Sequence, residues 1–420
     1  MGTAREKGRS GFLPVTEGGS SASPPPRHRR SIAWLALAAA GLALMLLGAQ
    51  WARRAFDTVL VLTDIGAGTG PSLLKELTPP PVRAAVRYPG NGGVLEADLY
   101  LPGQGPPRAG VVLVPGVVPL GNRDPRLVAF AQTLARAGFA VLAPQMPGYQ
   151  ELQVRPTDIG VVAAAFRFLA AHPRWAPQGR AGMVAFSYAV GFAVLAGLQP
   201  DIRDQVRFIV GIGGYYDLND VVTYATTGYF QMGGRWVLRQ PDSYGKWVFL
   251  ESSRPYLDSA NDRSLLGEMA RMKLENPHAD IAPLTQRLGP EGASVYRLLA
   301  NTDPAKAPAR IAALPKPIRA VMDALTLNNK NLHTLHARLI LVAGEDDGIV
   351  PYDQSLRLAR AVPPGHARVF IIHRVLGHVE LRIARVFRWS FWREDLPDVQ
   401  RLYAAIRLLL AEQQARRPLP

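Results

Sequence analysis

Three groups far apart in the chain could together open an acyl bond. Ser187 lies in Gly182-Met183-Val184-Ala185-Phe186-Ser187-Tyr188-Ala189-Val190-Gly191, where an apolar, strand-like run meets small residues. Two carboxylates follow in Gly344-Glu345-Asp346-Asp347-Gly348-Ile349-Val350-Pro351, and a histidine in Leu376-Gly377-His378-Val379. A serine hydroxyl is a weak nucleophile at neutral pH. It needs a base to take its proton and a third group to hold that base in one tautomer. Serine, acid and histidine, in that order, supply those roles. A sharp strand-to-helix turn at Ser187 would expose its oxygen and set a helix N-terminus beneath it, where N–H groups favour oxyanion charge.

Positioning these groups requires a sheet whose strands all end at one edge. Residues 82–88 and 94–101 alternate in polarity around Pro89-Gly90-Asn91-Gly92-Gly93 and read as an antiparallel hairpin. Continuous apolar runs at 110–114, 139–143, 182–186, 208–213, 338–343 and 369–372 suit strands buried on both faces. Helical patterns lie between them: Leu127, Phe130, Ala131, Leu134 and Ala135 share a face, as do Val161, Ala164, Ala165, Leu169 and Ala170. This alternation predicts an α/β fold with a mostly parallel sheet flanked by helices. Residues 218–336 break the rhythm. They are too long for one crossover, carry helical patterns, and are rich in aromatics such as Tyr224, Tyr229, Phe230, Trp236, Tyr244, Trp247 and Phe249. They are expected to form a helical cap over the carboxyl ends of the strands. Behind Pro397, Val399, Leu402, Tyr403, Ile406, Leu409 and Leu410 predict a closing helix, and Phe387, Trp389, Phe391 and Trp392 are expected to pack on the core or on a helix.

From residue 82 onward, apart from the cap, the chain resembles the α/β-hydrolase superfamily, most closely its bacterial esterase and dienelactone-hydrolase-like members. The run Gly138-Phe139-Ala140-Val141-Leu142-Ala143-Pro144-Gln145-Met146-Pro147-Gly148 is similar to that family's fourth core strand and its Pro-Gly turn. Val112-Leu113-Val114-Pro115-Gly116-Val117 is similar to the strand whose following loop gives half an oxyanion hole. By that resemblance the N–H of Val117 (or Gly116) and the N–H of Tyr188 would be the donors, one such donor being worth about 10²–10³ in turnover. The family's Gly-x-Ser-x-Gly appears here with Ala185 and Ala189 in place of both glycines. Alanine, the smallest side chain, meets the packing constraint approximately. The family's acid motif lands on Asp347, with Val350-Pro351 in register, while Asp346 stays a competitor. His378 follows a glycine in the loop after the last strand, as the resemblance requires, and His373 is read as a core or edge residue. His333 and His336, spaced i, i+3, could coordinate a metal, but no carboxylates accompany them and surface histidines are the default.

The chain has no cysteine among its 420 residues, which excludes disulfides, thiol catalysis and an acylated cysteine anchor. Its net charge of +15 comes from scattered arginines, not from a basic patch interleaved with aromatics, so nucleic acid is not an expected partner. Gly66-Ala67-Gly68-Thr69-Gly70 lacks a surrounding βαβ unit and is not expected to bind a nucleotide. Residues 32–51 form an uncharged Ala/Leu-rich stretch bracketed by Arg29-Arg30 and Arg53-Arg54, with Trp34 and Trp51 near its ends. About 20 apolar residues match a hydrocarbon core of about 30 Å. No small-x-small pair suits cleavage, so an uncleaved single-pass anchor is expected. Arg5, Lys7, Arg9, Arg27, Arg29 and Arg30 place the leading tail in the cytoplasm and the catalytic domain on the far, extracytoplasmic side.

The expected organisation is thus a disordered basic tail (1–31), a transmembrane helix (32–51), a linker (52–81), a first core part (82–217), the cap (218–336) and a second core part (337–415). The expected activity is cleavage of an ester-type acyl bond by Ser187, His378 and Asp347 through an acyl-enzyme, without cofactor or metal. The substrate would be a small, hydrophobic acyl compound. A peptidase or acyltransferase using the same groups is one alternative. A non-catalytic, envelope-associated binding protein on a decayed fold of this kind is the other.

Overall fold

The computed structural model describes residues 27–90, 92–379 and 395–414, with the side chains of 27–39, 41, 43 and 44 outside the description. The chain divides into two units, residues 1–53 and 54–420. Ten strands are present among the described residues: β1 (Val82–Gly90), β2 (Gly93–Leu101), β3 (Ala109–Val114), β4 (Phe139–Pro144), β5 (Ala181–Phe186), β6 (Phe208–Ile212), β7 (Tyr229–Met232), β8 (Arg235–Leu238), β9 (Arg338–Gly344) and β10 (Ala367–Ile372). Eight form one sheet in the order β1-β2-β4-β3-β5-β6-β9-β10. The first two pairings in that order are antiparallel and the rest parallel.

Alternation along the strands divides the core between the two sheet faces. Val112 and Val114 of β3 join one apolar cluster with the helices Asp158–Ala170 and Ala189–Gly197. Val111 and Leu113 join the other with the helices Pro125–Arg136 and Leu396–Ala411. The central strands β3, β4 and β5 bury nearly every side chain, which is why they read as unbroken apolar runs. Register brings their carboxyl ends together: Val114 faces Ala185, Phe186 faces Ile212, and Ile212 faces Val342.

The cap carries its own core of Trp247, Leu250, Leu266, Met269, Val295 and Leu298. It is mostly helical and also contains the antiparallel hairpin β7–β8, which turns at Gly233 and Gly234 with positive φ at both.

The segment expected to be a linker is organised differently. A helix runs from Arg27 to Ala67, followed by a short one at Leu73–Leu77. Leu60, Val61, Leu62 and Leu74 are buried in the second cluster, where each side chain contributes about 1.5–3 kcal/mol. Asp64 is fully buried and accepts from Thr133 Oγ1 at 2.6 Å and from Lys75 Nζ at 3.1 Å. The glycine-rich run ends the helix: Gly68 sits at φ +56°, and Lys75 Nζ donates to the Gly68 and Gly70 carbonyls.

Among the described residues no helix is long and apolar enough to cross a membrane. Residues 32–39, 41, 43 and 44 of the expected span lie outside the described side chains, as do the expected cluster 387–392 and the tail 1–26.

Candidate active site

Ser187 follows β5 and has φ +56°, one of three non-glycine residues with positive φ among the described residues. Such a conformation costs about 1–2 kcal/mol and persists only where surroundings impose it. Here the Ser187 N–H donates to Ile212 O at 2.8 Å, and the Ser187 carbonyl accepts from the Val190 N–H at 3.1 Å. Ala185 and Ala189 are completely buried on either side. Gly191 is required for a different reason: a methyl there would lie 2.1 Å from Tyr215 Oη, which donates to Leu325 O.

Asp347 and His378 meet at the next strand ends. His378 Nδ1 lies 2.7 Å from Asp347 Oδ2, and Asp347 Oδ1 accepts from the N–H groups of Ile349 (2.8 Å) and Val350 (2.9 Å). The carboxylate therefore takes three donors and is 2 % exposed. This fixes the ring with a proton on Nδ1 and leaves Nε2 as the acceptor. Nε2 is buried and has no hydrogen-bond partner among the described residues. Asp346, the competing carboxylate, is exposed and lies 3.8 Å from Arg239 Nε. His373 is exposed and pairs with Glu345. His336 Nδ1 pairs with Asp204 at 2.7 Å.

Ser187 and His378 line one cleft of about 1520 Å³, together with Gly116, Val117 and Tyr188. A methyl on Gly116 would lie 3.7 Å from Ser187 Cβ, so the loop after β3 runs directly beside the serine. Among the described residues, the N–H groups of Val117 and Tyr188 donate to no backbone carbonyl of the turns and loops. Burial pushes the Tyr188 phenol up to about 12, so it stays neutral.

Three contributors were not legible in the sequence. Gly213, at φ +64°, ends β6 under the histidine: a methyl there would lie 3.0 Å from His378 Cε1 and 2.9 Å from its carbonyl oxygen. Two cap tyrosines hold the core's loops through their hydroxyls. Tyr224 donates to Asp347 O and Tyr244 to Val117 O, each at 2.9 Å. As aromatics they read as cap core, and only the fold shows which backbone their hydroxyls reach. A glycine closing the presumed strand 208–213 was the one signal available for Gly213.

No family model matches the chain, and no curated protein matches it in sequence. Among solved structures it is similar to a protein from Legionella pneumophila provisionally named a hydrolase, at TM-score 0.53 and 12 % identity, over 82 % of this chain and 95 % of that one. A meta-cleavage product hydrolase from Pseudomonas fluorescens matches at TM-score 0.39 and 18 % identity, over 77 % of this chain and 98 % of that one. An esterase from Pyrobaculum calidifontis matches at TM-score 0.41 and 14 % identity, over 85 % and 92 %. The last two scores are too low to bear on the fold. The strand order, the mostly parallel sheet with flanking helices and the first of these similarities give the chain an α/β-hydrolase fold.

Proposed function

We propose that the protein is a serine hydrolase that cleaves an ester-type acyl bond. The observation that carries this reading is the hydrogen-bonded Asp347–His378 pair, whose free Nε2 shares a cleft with a serine held at positive φ. Ser187 Oγ attacks the acyl carbon as His378 Nε2 takes its proton. The N–H groups of Val117 and Tyr188 receive the developing oxyanion, with Gly116 as the alternative donor to Val117. The ester C–O bond breaks, the alcohol leaves with the proton from His378, and the acyl group stays on Ser187. Water then attacks that ester, giving up a proton to the same nitrogen, which returns it to Ser187 as the acid departs. Catalytic hydrogen bonds are often long before substrate binds, so an unpaired Nε2 in the free protein suits this cycle.

Turnover of p-nitrophenyl butyrate by purified protein tests the reading. Wild type should turn over, and Ser187→Ala should lose about 10⁶-fold in kcat, the scale seen when a serine nucleophile is removed. Equal turnover by both proteins would reject it.

The same proposal includes a single-pass N-terminal anchor with the catalytic unit outside the cytoplasm. Its support is the uncharged stretch 32–51, the basic tail before it, and the exposed Leu42, Met45, Leu46, Leu47 and Trp51 on the helix Arg27–Ala67. A C-terminal reporter enzyme active only outside the cytoplasm should be active when fused to the full chain. Activity of a cytoplasm-only reporter in its place would reject this topology.

A further inference from the structure

Tyr188 and Val248 each border two spaces. On one side is the cleft of Ser187 and His378, and on the other a small cavity between core and cap. The helices Leu218–Thr227, Ser243–Ser253 and Lys316–Leu325 wall this cavity through Leu218, Val222, Phe249, Val321 and Met322. Its volume is about 50 Å³.

The two serine hydroxyls on its wall are already engaged. Ser252 Oγ donates to Leu152 O and accepts from the Val154 N–H, while Ser253 Oγ donates to Phe249 O at 2.7 Å. The cavity therefore suits a purely apolar group. A space of this kind needs about 10–15 Å³ for each water-sized group, so the cavity has room for a few such groups, a short carbon chain and not a long one.

Which half of an ester would enter follows from the chemistry. The alcohol must depart after the first step and water must take its place, so the alcohol belongs in the open cleft. The acyl group stays bonded to Ser187 and can occupy the small apolar space beside the next residue, Tyr188. We propose that this cavity is an acyl pocket, so that the preferred substrate is an ester of a short apolar acid, about four carbons long, with its alcohol in the open cleft. The proposal rests on Ser187 being the nucleophile.

The test is kcat/KM for p-nitrophenyl acetate, butyrate, hexanoate and octanoate. A methylene that fits an apolar pocket is worth about tenfold or more, so wild type should favour butyrate over acetate and octanoate by at least about tenfold. Val321→Phe, which fills the cavity, should lower the butyrate-to-acetate ratio about tenfold. Met322→Ala, which enlarges it, should move the optimum to hexanoate, and it carries the test alone if the larger side chain at 321 unfolds the cap. Octanoate as the best wild-type substrate, or one chain-length order shared by all three proteins, would overturn the acyl pocket while leaving the hydrolase reading intact. No turnover of any ester, with no fluorophosphonate labelling of Ser187, would overturn both.

Discussion

Two buried aspartates six residues apart meet opposite surroundings. Asp347, on the rim of the sheet, receives two backbone N–H groups and the His378 ring. Asp353, where the core helix Asp353–Ala361 meets the cap, accepts a 3.2 Å bond from Gln354 Nε2, with Arg357 Nη1 4.0 Å away. Its Oδ1 is buried with no partner among the described residues, and burial pushes its carboxyl up to about 7 against the pull of Arg357. Every polar group on the rim that the proposed chemistry uses is held by the fold or left free for substrate. The cap–core seam tolerates a buried acid that must titrate. Preorganisation is concentrated where charge would develop during reaction.

The sharpest way to break this contrast is to change the rim acid alone. Asp347→Asn keeps the shape but reverses the tautomer offered to His378, and kcat for p-nitrophenyl butyrate should fall about 10⁴-fold. Asp346→Asn, at an exposed position, should change it less than about twofold. Equal effects would remove Asp347 from its role.

Gly213→Ala pushes on the histidine from below. With the ring atom only 3.0 Å from the new methyl, kcat should fall about 10²-fold, the cost of displacing a catalytic group by about an ångström. A variant with wild-type kcat would show that the ring position is not tightly held.

Tyr244→Phe removes the donor to Val117 O from the cap. Burial pushes this phenol up to about 12, so in wild type it donates throughout the working pH range. The loss of one such bond, about 0.5–1.5 kcal/mol, should lower kcat roughly tenfold or less with KM little changed. A change confined to KM would place Tyr244 in substrate binding and not in positioning the loop.

Asp353→Asn should affect turnover least and stability most selectively. The folded carboxyl titrates near 7, above its ordinary value of 3.8, so the folded state retains a proton that the unfolded state releases between those values. The associated stability is fully present below about pH 4 and is lost as pH rises toward 7. Asparagine cannot ionise, so the variant should melt above wild type at pH 8, by a few degrees, and the gap should narrow at pH 5. Parallel melting curves across that range would show that Asp353 does not titrate as described.

Much of the frame was legible in the sequence because burial on both faces leaves unbroken apolar runs. The runs at 139–143 and 182–186 match β4 and β5 to within a residue. Ser187 stood out because it lies just past such a run, and Asp347 and His378 because they follow it in the order and in the motifs by which the chain resembles the α/β-hydrolase superfamily. The helical character of 54–67 was not legible. Its buried residues, Leu60, Val61, Leu62 and Asp64, serve a docking face that no local periodicity separates from a connector. The hairpin β7–β8 was hidden by strands of four residues each, too short to show alternation. The roles of Gly213, Tyr224 and Tyr244 depend on residues more than 100 positions away, a distance over which spacing carries no information.

Covalent labelling with a fluorophosphonate probe, followed by mass spectrometry of the adduct, tests the central claim most directly. The account predicts one modified residue, Ser187, with labelling abolished in Ser187→Ala and strongly slowed in His378→Ala. A folded wild-type protein that takes up no label, or an adduct on a different residue, would contradict it.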